Sequence, residues 1–478
     1  MATLLAWRHT AFLRPWRTLA QSLLLWGLLG GGGTVGLATD SSSATALERD
    51  AAAAYRSGQY DRVPRLLDRV PAGQAPSREL LRLTFLSQLK LGQPEAALAT
   101  YHKLVPEGQV EQLPQLRALA LAFVTGHTRD PQEYVRIAAY TTLAELSLTE
   151  TAPLLEDGLL DISPLVRARA IEGLGRIAAA APVAQRTTAI GALKRALRDA
   201  APGVRIAALD ALGTVGTEKD RSLLDAVIAM ARTEEGAVNI FALAALARLG
   251  RAQAFDELLG AATLPDSDTR MAAIGLLGRL RRPAARSVLA QSIYDPDESV
   301  RAFAAGALGE FGDPAANSVL TQALTDESPR VRGTAATSLG RLGNASAKPF
   351  LRQALHDPAD LVRVSAVEGL IRLGDADAIL FAADLAKHDA PSVRGAVAQA
   401  VGIPGNVTAL PLLEQLLADR QPQPRLAAAR ALGKVGDRRA IPALKKILSD
   451  GDPAIRLTAG GSLVRLISAA MPARQKQS

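Results

Sequence analysis

The sequence predicts an all-α protein whose helices wind into a solenoid, and three observations predict it. An arginine preceded by a hydrophobic residue or proline returns every 31 residues at Arg301, Arg332, Arg363, Arg394, Arg425 and Arg456, with Arg270 continuing the series. Aspartate recurs six residues before that arginine, and glycine eleven residues after it. A fixed period of this length holds two short helices and their turns, which is how a repeat architecture shows itself in sequence.

Taken from the amino terminus, the first element is an address. Residues 1–17 carry Arg8, Arg14 and Arg17 and no acid, residues 18–39 carry no charge, and Leu23 to Leu29 is strongly apolar. That order of a basic start and an apolar run is an export segment. Gly30 to Gly33 and Gly36 interrupt the helix that a durable span needs, and Gly36-Leu37-Ala38 resembles a cleavage site. Residues 1–39 are therefore read as a signal peptide, with a retained inner-membrane anchor at 18–39 as the alternative, and the protein is expected in the periplasm or at the cell surface. The chain has no cysteine, which rules out both a lipid-modified cysteine anchor and a disulfide. Gly31 to Gly36 also fits a dinucleotide-binding fingerprint, but no strand precedes it. Residues 40–46 read as a Ser-rich linker, and residues 471–478 as a polar tail.

Residues 47–126 follow a different period. Gly58, Gly92 and Gly126 stand 34 residues apart, Tyr55 and Leu89 precede the first two by three, Leu67 and Tyr101 follow them by nine, and Pro71 and Pro106 close the units. This resembles a pair of tetratricopeptide repeats plus a third first-helix, Leu116 to Val124.

Residues 127–470 hold eleven units on the arginine period. Upstream of Arg270 the register continues through Asn239, Arg205, Arg167 and Arg136, at spacings of 31, 34, 38 and 31 residues, with room for extra loop or helix residues at 176–188 and 217–221. In the unit starting at Asp295, the residues Val300, Ala304, Ala307, Leu308 and Phe311 recur at helical spacing and give the second helix one apolar stripe. Asp130-Pro131, Asp295-Pro296 and Asp357-Pro358 are expected to start helices, with the aspartate as N-cap and the proline at N1. Gly216, Gly250, Gly312, Gly343, Gly374, Gly405 and Gly436 are expected to end them as left-handed C′ residues. One helix pair cannot bury its own apolar face, so stability comes from stacking on neighbours.

With the period, the aspartate, the Val-Arg pair and the double glycine in place, this region resembles HEAT repeats, specifically the short type associated with phycobilisome lyases. The resemblance implies a right-handed α-α superhelix with the arginine-bearing helix on its concave side. In eight of the eleven units the aspartate is present; the unit with Asn239 has lost both partners, carrying Thr233 at the aspartate position, whereas Leu264 and His388 have Asp266 and Asp389 close by. Joint loss argues that the two side chains pair between neighbouring turns as a structural ladder, through Asp295, Arg301, Asp326, Arg332, Asp357, Arg363, Asp419, Arg425, Asp450 and Arg456. Removing one member of a half-buried pair strands a charge.

The net charge of +8 falls to +5 once the first 39 residues, with three arginines and no acid, are set aside. Nine residues after the repeat arginine stand Arg176, Arg248, Arg279, Arg341, Arg372, Lys434 and Arg465. Stacked at equivalent positions they would make a basic edge, which serves either the helix dipoles or an elongated acidic partner. Nucleic acid is argued against by the modest charge and by the lack of aromatics interleaved with the basic positions. Deoxyhypusine hydroxylase is a family relative by repeat type, but His9, His102, His127, His356 and His388 are followed by Thr, Lys, Thr, Asp and Asp, so its His-Glu pairs are missing. His356-Asp357 and His388-Asp389 form two loop donor pairs without softer ligands. The expectation is a monomeric, non-catalytic protein-binding scaffold of the bacterial cell envelope, without cofactor or metal. A lyase-like enzyme or accessory factor and a nucleic-acid-binding protein are the two alternatives.

Overall fold

The computed structural model describes residues 41–106 and 109–470. The export segment and the polar tail lie outside the described residues, so neither reading meets a structural counterpart. Every regular element described is helical, with no strand, and none of the described helices is long and apolar enough to cross a membrane.

The chain divides into two compact units, one of Met1–Asp157 with Ile441–Ser478 and one of Gly158–Ala440. The boundary expected at residues 126/127 therefore does not separate compact bodies, because the last repeat belongs with the amino-terminal helices. The linker expected at 40–46 is corrected as well: a helix runs Ser41–Arg56. Serine is at home at a helix start, and the alanine-rich run from Ala44 carries the helix through the segment.

Within Gly158–Ala440 the regular repeat pairs a short helix entered by a 3₁₀ turn with a longer arginine helix. Pro314–Ala316 leads into Asn317–Ala323 and then Pro329–Leu342; Ala345–Ala347 leads into Lys348–Ala354 and then Asp360–Arg372. Successive arginine helices stack on one another, and each short helix packs on the arginine helix that follows it. The core is the line of Val331, Ala335, Leu339, Val362, Ala366 and their equivalents, all buried. The extra residues at 176–188 went into helix, Pro164–Ala180 having 17 residues and Val183–Ala196 14, against 7 for Asn317–Ala323, whereas those at 217–220 form a turn.

The turn chemistry differs from the expectation in one respect. The helices after Asp130-Pro131, Asp295-Pro296 and Asp357-Pro358 have Gln132, Asp297 and Ala359 as their N-caps. Each upstream aspartate instead accepts the backbone N–H two residues on, at 2.9 Å in all three. That is an Asx-turn, which aims the chain into the helix from outside it. Of the seven glycines expected to be left-handed, Gly216 alone is not, with φ −73°. It is glycine for space, since a β-carbon there would lie 2.3 Å from Leu223 Cδ2.

A second glycine, eight residues after the arginine, sets how closely neighbouring arginine helices cross. A β-carbon on Gly175, Gly213, Gly278, Gly309, Gly340 or Gly402 would lie 2.5–2.8 Å from Ala211, Ala245, Ala307, Ser338, Gly369 or Ala431, which stands six after the next repeat position. Small residues on both sides of each crossing let the backbones nearly touch.

Candidate functional site

The ladder positions the arginine helices. Arg301 points Nε and Nη2 at Asp326 of the following repeat, at 2.8 and 3.0 Å, and Nη1 at the carbonyls of Asp295 and Pro296 in its own turn. Arg332 does the same with Asp357, at 2.7 and 2.9 Å, and Arg394 with Asp419, at 2.7 and 2.8 Å. Arg167–Asp199 and Arg270–Asp295 repeat the fork. A guanidinium so held joins the loop of one repeat to the carboxylate of the next, in the bidentate geometry that only arginine offers. The Arg167, Arg332 and Arg394 guanidiniums hold Asp199, Asp357 and Asp419 below the usual carboxylate range. At Asp326 burial pushes upward, but the bonds from Arg301 and from the Ser328 N–H outweigh it and the carboxyl is again lowered.

Where the pattern lapses, the structure improvises. Arg205 bonds Glu234, the residue after Thr233, at 2.8 Å. Asn239 donates to the Ala231 carbonyl at 2.6 Å. Beside His388, Arg363 turns to Asp360 on its own helix. His388 stands in for the missing aspartate: its Nδ1 accepts the Ala390 N–H at 3.1 Å, and its Nε2 lies 3.4 Å from Asp360. The own-turn bond persists throughout, Arg425 and Arg456 donating to the carbonyls of Asp419 and Asp450, six residues before each. One member of each pair, Asp357 and His388, is thus committed to a turn, and no group of three His, Cys, Asp or Glu that could hold a metal occurs among the described residues.

The stacked arginine helices leave a groove within Gly158–Ala440. One stretch, of about 700 Å³, is lined by Phe241, Asp268, Met271, Gly275, Arg279, Phe303, Gly306, Glu310, Arg330 and Thr334. The adjoining stretch, of about 540 Å³, shares Phe241 and Arg279 and adds Arg169, Glu172, Arg176, Gly203 and Asp210. The floor of the first stretch is small residues, from which the Phe303 ring stands out 42% exposed. Gly275 is mid-helix, and a β-carbon there would meet nothing nearer than Phe303 Cδ1 at 3.9 Å. Packing does not require glycine at that point, and the helix forgoes about 1 kcal/mol relative to alanine.

The seven basic positions do not form one uniform edge. Arg248 and Arg279 converge on Asp210, at 2.7 and 3.3 Å, with Arg279 also 5.7 Å from the Phe241 ring centre. Arg372 pairs with Glu368 at 2.9 Å, and Arg465, in the other unit, lies 3.7 Å from Glu145. Arg176 lines the groove. Arg341 and Lys434 are exposed and make no ion pair among the described residues. Glu310 holds the equivalent place after Arg301 and faces the groove with the opposite charge. The groove residues missed from sequence, Gly275, Phe303 and Gly306, carried one available signal, an aromatic two places after the repeat arginine where neighbouring units have alanine or threonine.

A profile of HEAT repeats matches residues 161–233, 224–300, 288–371, 353–425 and 411–473. No curated protein matches the chain. Among solved structures, the complex of CpcE and CpcF of phycocyanin lyase from Nostoc sp. PCC7120 is similar at 25% identity over 42% of this chain and 91% of that one, with a TM-score of 0.34. Human deoxyhypusine hydroxylase is similar at 23% identity over 53% of this chain and 98% of that one, TM-score 0.26. Kap121p is similar at 14% identity over 86% of this chain and 54% of that one, TM-score 0.34. At TM-scores this low the likenesses say nothing of what this chain does.

Proposed function

The chain belongs to the HEAT-repeat family, and from that premise we propose that it is a non-catalytic protein-binding scaffold of the bacterial cell envelope. HEAT-repeat proteins typically bind protein partners. The observation that carries the reading is the groove floor: an exposed Phe303 beside Gly275, which no internal contact needs to be glycine. An aromatic projecting among small residues is how a docking surface receives a partner's apolar side chain. The envelope location rests on the basic start and apolar run of residues 1–39. The partner carries an acidic segment that runs toward Arg341 and Arg372, and the scaffold acts as a monomer.

Affinity capture from membrane and periplasmic fractions tests this. The wild-type chain retains a partner that Phe303→Glu loses and that Phe350→Glu keeps, Phe350 being an exposed phenylalanine on a short helix outside the groove. Loss with both variants, or with neither, removes the groove from the reading. Reversing Arg341 and Arg372 together should weaken that binding and flatten its salt dependence. Unchanged affinity discards the acidic segment.

A further inference from the structure

We infer that the amino-terminal helices act as the cap of the last repeat, so that the two ends of the chain form a single cooperative clasp. A helical-repeat array needs its terminal apolar faces covered. In the unit formed by both chain ends, the last helix, Pro453–Ala470, packs on Leu113–Thr125 and on Glu133–Leu146. Its side chains are buried nearly all round, with Ile455, Leu457, Leu463, Val464 and Ile467 inaccessible. A helix apolar on every side needs neighbours on every side.

Three details make the contact specific. A β-carbon on Gly460 would lie 2.6 Å from the Ala120 carbonyl oxygen, and one on Gly461 would lie 2.3 Å from Thr142 Cγ2. The helix therefore touches both amino-terminal helices through residues that admit no larger side chain. Arg456 bonds its own turn like every ladder arginine, and its Nη2 reaches Glu95 Oε1 at 3.4 Å. Glu95 opens the helix Pro94–Leu104, which in this respect takes the place of a next repeat. Three ion pairs across the contact share one polarity: Lys445, Arg456 and Arg465 come from the carboxyl end, and Glu111, Glu95 and Glu145 from the amino end. Arg117 adds a bond from Nε to Ser468 Oγ at 2.8 Å. Opposed charges of fixed sense align the helix and disfavour its reversal.

The clasp joins residues more than 300 positions apart, so it closes only once the carboxyl end has been made. Hydrogen exchange on the full chain tests it. Gly461→Val should speed exchange at least tenfold in both 113–146 and 453–467, by similar factors, while Glu298–Phe311 and Pro329–Leu342 keep their rates. A milder arm reverses Glu111→Lys, which should speed the same two segments together, and Lys445→Glu in the same chain should restore them. Acceleration confined to 453–467, acceleration of all helices alike, or failure of the paired reversal to restore protection would overturn the inference. So would protection that rises with protein concentration, since the last helix would then dock on a second copy.

Discussion

The Arg332 guanidinium does three jobs: it ties down its own turn through two carbonyls, grips the carboxylate of the next turn, and brings an always-charged group to a half-buried site. Asp357 has the complementary tasks of accepting Arg332 and accepting the Ala359 N–H. Asp357→Asn keeps the second and loses the charge of the first, and should lower stability by about 2 kcal/mol, the scale of a charge-assisted bond. Chemical denaturation of the purified variant measures it. The residue scale also holds a place where the chain works against itself. Arg281 occupies the left-handed position that glycine holds at Gly312 and Gly343, with φ 51°. A side chain in that conformation costs about 1 kcal/mol, so Arg281→Gly should raise stability by up to that amount, less the extra freedom it gives the unfolded chain. A drop in the thermal midpoint would mean the Arg281 side chain makes a contact worth more than the strain.

Two glycines inside arginine helices predict opposite outcomes for the same substitution. Gly340 faces Gly369, whose Cα would lie 2.5 Å from an added β-carbon, so Gly340→Ala should cost about 2 kcal/mol by forcing the two helices apart. Gly275 faces the open groove, so Gly275→Ala should gain about 0.5–1 kcal/mol of helix stability while weakening partner binding. Unfolding midpoints paired with a binding assay separate the two. The helices themselves were legible in the sequence because each unit repeats the same apolar spacing and the same closing glycine. Two features were not. An aspartate in an Asx-turn and an aspartate at an N-cap look alike in sequence, since both precede the helix and differ only in which N–H they accept. The crossing glycine is the first of a recurring pair of glycines three residues apart, as in Gly309 and Gly312 or Gly340 and Gly343, but only contact with the next helix reveals that it is there for space.

At the level of the whole chain, the carboxylates act together. Asp199, Asp326, Asp357 and Asp419 titrate below the ordinary carboxylate range when folded, so the stability they contribute is complete above about pH 4 and is lost as the pH falls through their lowered values. Thermal midpoints should be level near neutrality and fall steeply in acid, with a shallower fall in Asp357→Asn; parallel curves would show that other groups govern acid unfolding. The contact between the chain ends could not be read from the sequence, because a pairing such as Arg456 with Glu95 leaves no periodic trace. Placement of the groove was only half legible: the arginine helix could be assigned to a concave face by resemblance, whereas the compensation of Arg248 and Arg279 by one Asp210 depends on how the helices cross. Coupling between neighbouring repeats through the forked pair underlies both the stack and the groove it forms. The most direct measurement is a double-mutant cycle of Arg332→Met and Asp357→Asn, read as opening free energies from amide exchange in Asp360–Arg372. A coupling of about 2 kcal/mol is predicted for this pair, with none between Arg301→Met and Asp357→Asn; additive effects in the Arg332–Asp357 cycle would contradict it.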